Sequence, residues 1–416
     1  MILKQIIKSE FIKNVFTLLS GTTAGQIIML LMVPVIARLY TPAQFGEYSL
    51  FISIATVIAV IASGRYELAI IPAREDIRAF NLFIASLVLT VFSALLSLLA
   101  ILFFNNEISF LLNNIELCKW LLLLPVSILL FALLQVLTNW YSRKKFFNIL
   151  SYCKVIQAVI TSIIFVLLGI LKKGTLGLIL GSISGQFIFI IIILIKILRE
   201  ESRSFKSVNK RTIREELYEN RNFPYFSMPM GFLNAISMNL LIYVLNIFYT
   251  PTIVGLYAKA IRVIRLPISL LSTSFTSVFY QKLSVTERKI WLYKFSYLGI
   301  FFTGLILMLP VMFWGEPIFG FVLGSQWIKA GYIARIIAPM IIFSFATSSV
   351  SNVFPVTKTN HILLGWQVIY LAAALVIIYI FKSSSIYTLL FYFTIYGSLM
   401  YFILAVMGYY ILKKRR

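Results

Sequence analysis

Apolar runs of about 20 residues or more recur along the whole chain, with short polar breaks between them. A helix needs roughly that length to cross the hydrocarbon core of a bilayer. Hydrophobic residues fill 60% of the 416 positions and charged residues only 12%, whereas a soluble domain carries about 25% charge. The chain lacks the polar side chains to cover a water-facing surface. Period-2 alternation is absent, which argues against a β-barrel. The expected fold class is all-α and integral to the membrane. Lys4, Lys8 and Lys13 precede the first run as they would in a signal peptide, but that run continues through residue 37. A signal core is only ~7–15 residues long, so the run is read as the first transmembrane helix.

Reading apolar runs between polar breaks gives twelve transmembrane helices. The first six are 14–37, 47–70, 80–104, 119–141, 151–171 and 176–198. The last six are 223–248, 255–281, 292–314, 332–354, 362–381 and 386–411. With the N-terminus in the cytoplasm, 26 Lys and Arg fall on the cytoplasmic side, Lys154, Lys196 and Lys294 near helix ends among them, six on the other, and five lie elsewhere inside helices or at their ends. Cytoplasmic loops carry that excess of positive charge, so both termini are expected in the cytoplasm. Trp120, Trp140, Trp291, Trp314 and Trp366 fall at expected helix ends and Trp327 in a short outer loop, as interfacial tryptophans do. The net charge of +23 follows from this bias and calls for no nucleic-acid partner. Cys118 and Cys153 fall on opposite sides, so no disulfide is expected, and with His361 the only histidine there is no His/Cys metal site to expect.

The phrase Y-T-P-x-x-x-G-x-Y occurs at 40–48 and again at 249–257, 209 residues later. It falls between the first and second helices, and again between the seventh and eighth. Six helices return the chain to the same side, so the halves run in the same direction. The expectation is an N-lobe of 1–198, a polar cytoplasmic linker of 199–222 and a C-lobe of 223–416. The two six-helix lobes would be related by a pseudo-two-fold axis along the membrane normal, as parallel repeats in secondary transporters are. G-x-x-x-G-Q occurs at 21–26 and 181–186. Close helix approach through glycine is its default meaning, while Gln26 and Gln186 are candidates to face a cavity.

Ionisable side chains inside a membrane are costly and point to function. Lys259, Arg262 and Arg265 lie at i, i+3 and i+6 in "GLYAKAIRVIRLPISLL", an arc of about 120° on one helix face. Arg265 is roughly 15 Å from the outer helix end, and Pro267 beyond it is a candidate kink. The intramembrane acids are too few to neutralise this face. Arg65 and Glu67 lie in "ASGRYELAIIP" near the inner end of the second helix. Two apart on a regular helix, they point to different faces and need different partners. A cationic cavity is expected, selecting an anionic substrate held by arginine forks, with Glu67 the candidate coupling residue.

The stretches R-L-Y-T-P-x-x-F-G at 38–46, G-R-Y-E-L-A-I at 64–70 and the helix at 255–271 carry a resemblance. They look like O-antigen flippases of the Wzx type, in the polysaccharide transporter branch of the multidrug/oligosaccharidyl-lipid/polysaccharide flippase superfamily. The resemblance covers roughly the first 90 residues and the segment at 255–271. It implies outward flipping of an undecaprenyl-diphosphate-linked oligosaccharide, an O-antigen or capsule repeat unit, across the bacterial inner membrane by alternating access. It implies proton or sodium antiport as the drive and no other cofactor. Membrane lipids, a polysaccharide polymerase and a chain-length regulator are the partners that follow. Substrate contacts are expected at Arg262, Arg265, Lys259 and Arg65. The alternative is an exporter of drugs or metabolites with the same fold. An enzyme is not expected: the longest outer loops, 105–118 and 315–331, are short and no nucleophile–base set is present.

Overall fold

The structure is a computed structural model that describes residues 10–112, 119–201, 205, 208–286, 288–357 and 359–414. Cys118, most of the first basic segment and parts of the 199–222 linker lie outside the described residues. Cys153 is a buried free thiol. Helices form nearly all of the described chain, and no strand occurs among the described residues. In order they are α1 (Glu10–Leu39), α2 (Pro42–Ile61), α3 (Asp76–Leu112), α4 (Leu124–Arg143), α5 (Phe147–Ile170), α6 (Thr175–Glu200) and α7 (Lys210–Glu219). Then follow α8 (Met228–Phe248), α9 (Pro251–Val285), α10 (Lys289–Leu323), α11 (Ile328–Val350), α12 (Asn360–Phe381) and α13 (Ile386–Lys414). Each of the twelve expected segments coincides with a long helix; α7, inside the expected linker, is additional.

Among the described residues, ten helices are long and apolar enough to cross a membrane. Of the other two, α1 has a shorter described apolar part, Thr23–Leu39, and α9 carries Lys259, Arg262 and Arg265. Large apolar side chains stand exposed along whole helix faces, as Val88, Phe92, Leu95, Leu96, Leu99 and Phe103 do on α3. In water such a face would drive aggregation; against lipid it costs nothing.

By internal contacts the chain divides into two units, Met1–Ile247 and Phe248–Arg416. Helix α8 groups with the first, where Gly231 packs against Val60 and the Arg65 guanidinium. The core of the first unit is aromatic and aliphatic: Phe83 stacks on Trp140 at 5.0 Å, with Phe80 and Phe189 buried in the same cluster. Helix α7 is fastened to this unit by Arg78, which pairs with Glu216 at 3.4 Å and Glu219 at 3.1 Å.

The repeated phrase has the same local structure in both units. Thr41 and Thr250 are N-caps with extended backbone, and Pro42 and Pro251 open the helices that follow. Proline suits that position because its missing N–H would have had no partner there. Thr41 and Gln44 also complete a capping box. The preceding tyrosines act alike: Tyr40 donates its hydroxyl to the Phe165 carbonyl at 2.7 Å, and Tyr249 to the Ser384 carbonyl at 2.9 Å. The likeness extends further. Helix α3 kinks at Phe104 (φ −120°, ψ 27°) and α10 at Trp314 (φ −121°, ψ 27°). A 3-10 turn leads into the next helix in each unit, Leu121–Leu123 or Ser325–Trp327.

These kinks correct the expected outer loops. Residues 105–112 and 315–323 are helical continuations past the bend, not loop. Asn105, Asn106, Gly315 and Glu316 end the apolar run without ending the helix. Pro317 removes the donor that would bond to the Phe313 carbonyl, which suffices for the bend at Trp314; nothing comparable explains Phe104. Trp314 thus lies inside a helix, and Trp327 is fully buried within the protein.

Both G-x-x-x-G-Q motifs pack on α5. A Cβ on Gly25 would stand 3.2 Å from the Lys154 carbonyl oxygen. One on Gly185 would stand 1.9 Å from Thr161 Oγ1 and 2.9 Å from the Gln157 carbonyl oxygen. The backbone cannot yield as a long side chain would. Gly185→Ala is expected to destabilise the protein by about 1–3 kcal/mol, read as a lowered Tm in detergent. An unchanged Tm would show that α5 and α6 separate freely.

Candidate functional site

Helix α2 stops at Ile61, nine residues short of the expected end, and the chain reverses through Gly64 (φ 64°) and Arg65 (φ 62°). Both lie in the left-handed region, which glycine enters freely and arginine at a cost. A 3-10 turn, Tyr66–Ala69, follows. This geometry corrects the expectation that Arg65 and Glu67 point apart on a regular helix. The left-handed pair swings them together, and Arg65 Nη1 lies 3.5 Å from Glu67 Oε1.

Glu67 is buried, and its other oxygen accepts a short hydrogen bond from Ser63 Oγ. It belongs to the connection between the apolar spans Pro42–Ile61 and Asp76–Ile108. Burial raises its pKa above the usual carboxylate range. The Ser63 hydroxyl, its own backbone amide and Arg65 act in the opposite sense but more weakly. Desolvation disfavours the charged form of a carboxyl group, so Glu67 holds a proton more readily than a surface glutamate does. Arg65 Nε is buried with no hydrogen-bond partner among the described residues. A Cβ on Gly231 would approach this nitrogen to 3.1 Å. Glycine leaves the Arg65 guanidinium room against α8. Nothing in the sequence around Gly231 signals the contact.

Of the glutamines, Gln26 is half-buried. Gln186 is buried, with Nε2 3.4 Å from Ser182 Oγ and Oε1 without a hydrogen-bond partner.

In the second unit, α9 runs unbroken past Pro267. Its three cations have different surroundings. Lys259 is buried with Nζ 4.9 Å from the centre of the Trp327 ring, a cation–π contact. Arg262 and Arg265 are exposed. Neither forms an ion pair with an acid among the described residues. Arg335 of α11 is neutralised: Nη1 lies 2.6 Å from Glu316 Oε2 and Nε donates to the Met312 carbonyl at 3.0 Å. Glu316 supplies that partner because α10 continues past Trp314.

The structure therefore sorts the candidate cations. Arg65 and Arg335 have carboxylate partners, Lys259 has an aromatic one, and Arg262 and Arg265 have no acid partner among the described residues. No group of three or more His, Cys, Asp or Glu able to hold a metal ion occurs among the described residues.

A family model described as "Polysaccharide biosynthesis protein" matches residues 35–331. No curated protein sequence matches the chain. Three of the solved structures that share its fold illustrate the likeness. The lipid II flippase MurJ, in an inward closed conformation, is 15% identical with a TM-score of 0.76, over 93% of this chain and 86% of that one. An outward-facing multidrug resistance MATE family transporter of the MOP superfamily is 16% identical with a TM-score of 0.63, over 99% and 97%. A MOP superfamily transporter from Pyrococcus furiosus Vc1, for which reversed polarity of the binding pocket suggests a different function, is 15% identical with a TM-score of 0.62, over 97% and 96%.

Proposed function

We propose, from the premise that the chain belongs to the polysaccharide biosynthesis protein family, that it is a flippase for a lipid-linked oligosaccharide. The substrate is an undecaprenyl-diphosphate-linked repeat unit of O-antigen or capsule. It moves from the inner to the outer leaflet of the bacterial inner membrane by alternating access. Twelve transmembrane helices in two parallel lobes, with both termini in the cytoplasm, fit the 26-to-6 split of Lys and Arg and the duplicated phrase. The observation that carries the reading is the pair Arg262 and Arg265, two guanidinium groups on α9 with no acid among the described residues to neutralise them. Guanidinium forks match phosphate and carboxylate oxygens in pairs. A diphosphate carrier is such a ligand; a cationic drug is not, which disfavours the exporter alternative.

Glu67 is the coupling residue in this reading, with a proton as the coupling ion. Its buried carboxyl gains and loses a proton at a higher pH than an exposed one, and its shared contacts with Ser63 and Arg65 give protonation a local structural consequence. The test is complementation. Expressed in a strain deleted for its flippase but able to assemble the matching lipid-linked repeat unit, the protein is expected to restore surface glycan. Intact membrane expression with no surface glycan, and lipid-linked repeat units accumulating inside, would reject the proposal.

A further inference from the structure

Helices α12 and α13 meet through four aromatic rings. Trp366 stacks on Tyr370 at 5.2 Å, Tyr370 stacks on Tyr396 at 5.5 Å, and Tyr401 lies 5.5 Å from Trp366 and 5.9 Å from Tyr370. An interfacial aromatic belt sits at helix ends. Here Tyr370, Tyr396 and Tyr401 lie at least ten residues inside Asn360–Phe381 or Ile386–Lys414. Two polar handles are tied to backbone: Trp366 Nε1 donates to the Met400 carbonyl at 3.0 Å, and the Tyr396 hydroxyl donates to the Tyr370 carbonyl at 2.8 Å. These bonds fix the rings in place. Tyr370 is buried, whereas Trp366, Tyr396 and Tyr401 are only half-buried. Arg265 of α9, in the same unit, is exposed.

The geometry points to a sugar-binding subsite in the second unit, in which the Trp366, Tyr396 and Tyr401 rings receive a pyranose face of the substrate whose charge Arg265 holds in the flippase reading. The chemistry follows from the two surfaces of a sugar. Its axial C–H groups form an apolar patch that lies well against an aromatic face, and its hydroxyls find partners in tyrosine hydroxyls. Rings held by backbone bonds lose little freedom on binding, so contact energy is not spent on ordering them. Aromatic walls with a few placed polar groups are the usual make-up of a small-ligand site. The subsite rests on the flippase reading and adds to it: Arg265 recognises the charge, and the rings recognise that a glycan is attached.

The test measures binding to the purified full-length protein of two probes: the lipid-linked oligosaccharide isolated from the strain that makes it, and undecaprenyl diphosphate without sugar. Tyr401→Ala is expected to weaken the sugar-bearing lipid by about three- to tenfold and leave the sugar-free lipid unchanged. Tyr401→Phe, which keeps the ring, is expected to retain most of the affinity. Arg265→Ala is expected to weaken both probes. The ligand-induced change in tryptophan emission is expected to shrink in Trp366→Phe. Equal losses for both probes in Tyr401→Ala, or no loss for either, would overturn the subsite while leaving the flippase reading intact. Wild-type protein that binds neither probe would overturn the flippase reading, and the subsite with it.

Discussion

Replacing Arg262 and Arg265 together by alanine is expected to lower restored surface glycan by more than tenfold at matched membrane expression. A hydrogen bond to a charged group contributes ~1.5–3 kcal/mol, and each 1.4 kcal/mol is about a factor of ten. Two such contacts are at stake. The fold should survive, because both side chains are exposed and neither has an acid partner among the described residues to leave stranded. Arg265→Lys is expected to be intermediate: it keeps the charge but loses the two-pronged donor. Lys259 behaves differently. It is buried against Trp327, so Lys259→Ala is expected to reduce stability as well as transport. Full activity of the double alanine variant would remove the anionic-substrate role from α9.

Glu67→Gln is expected to make transport insensitive to an imposed pH gradient, with a loss of roughly tenfold or more, the range of typical coupling energies between linked sites. Glutamine keeps the shape and accepts the Ser63 hydrogen bond but does not titrate. Stability gives a second readout. Burial raises the Glu67 pKa in the folded protein, so the folded state binds this proton more tightly than the unfolded state does. Its contribution to stability is then complete at low pH and is lost as pH rises through the raised value. In Glu67→Gln that loss should disappear from the pH dependence of Tm. A wild-type pH response in the variant would assign the coupling to another group.

Much of this was legible because the bilayer imposes simple rules. Apolar length located each long helix, though α2 and α9 begin at Pro42 and Pro251 of the repeated phrase, earlier than the expected 47 and 255. The glycines of G-x-x-x-G announced close packing on α5. What was not legible depended on backbone departures that hydropathy does not see. The left-handed residues Gly64 and Arg65 end α2 early and join Arg65 to Glu67, where periodicity placed them apart. The bends at Phe104 and Trp314 let helices continue through polar residues, and that continuation gives Arg335 its partner Glu316. Charge spacing grouped Lys259 with the two arginines, but a neighbouring buried tryptophan divides them. The aromatic set on α12 and α13 looked like ordinary membrane composition until the packing brought Trp366, Tyr370, Tyr396 and Tyr401 together.

The most direct measurement is transport by the purified protein in liposomes carrying an undecaprenyl-diphosphate-linked oligosaccharide. The sugar that reaches the opposite leaflet is scored by a glycan-cleaving enzyme that does not cross the bilayer. Wild-type protein is expected to expose the sugar-bearing lipid faster than protein-free liposomes, and Arg262→Ala/Arg265→Ala protein to fall at least tenfold behind the wild type. Exposure no faster than in protein-free liposomes, or equal rates for wild type and double variant, would contradict the proposal that this chain moves an anionic lipid-linked glycan through those two arginines.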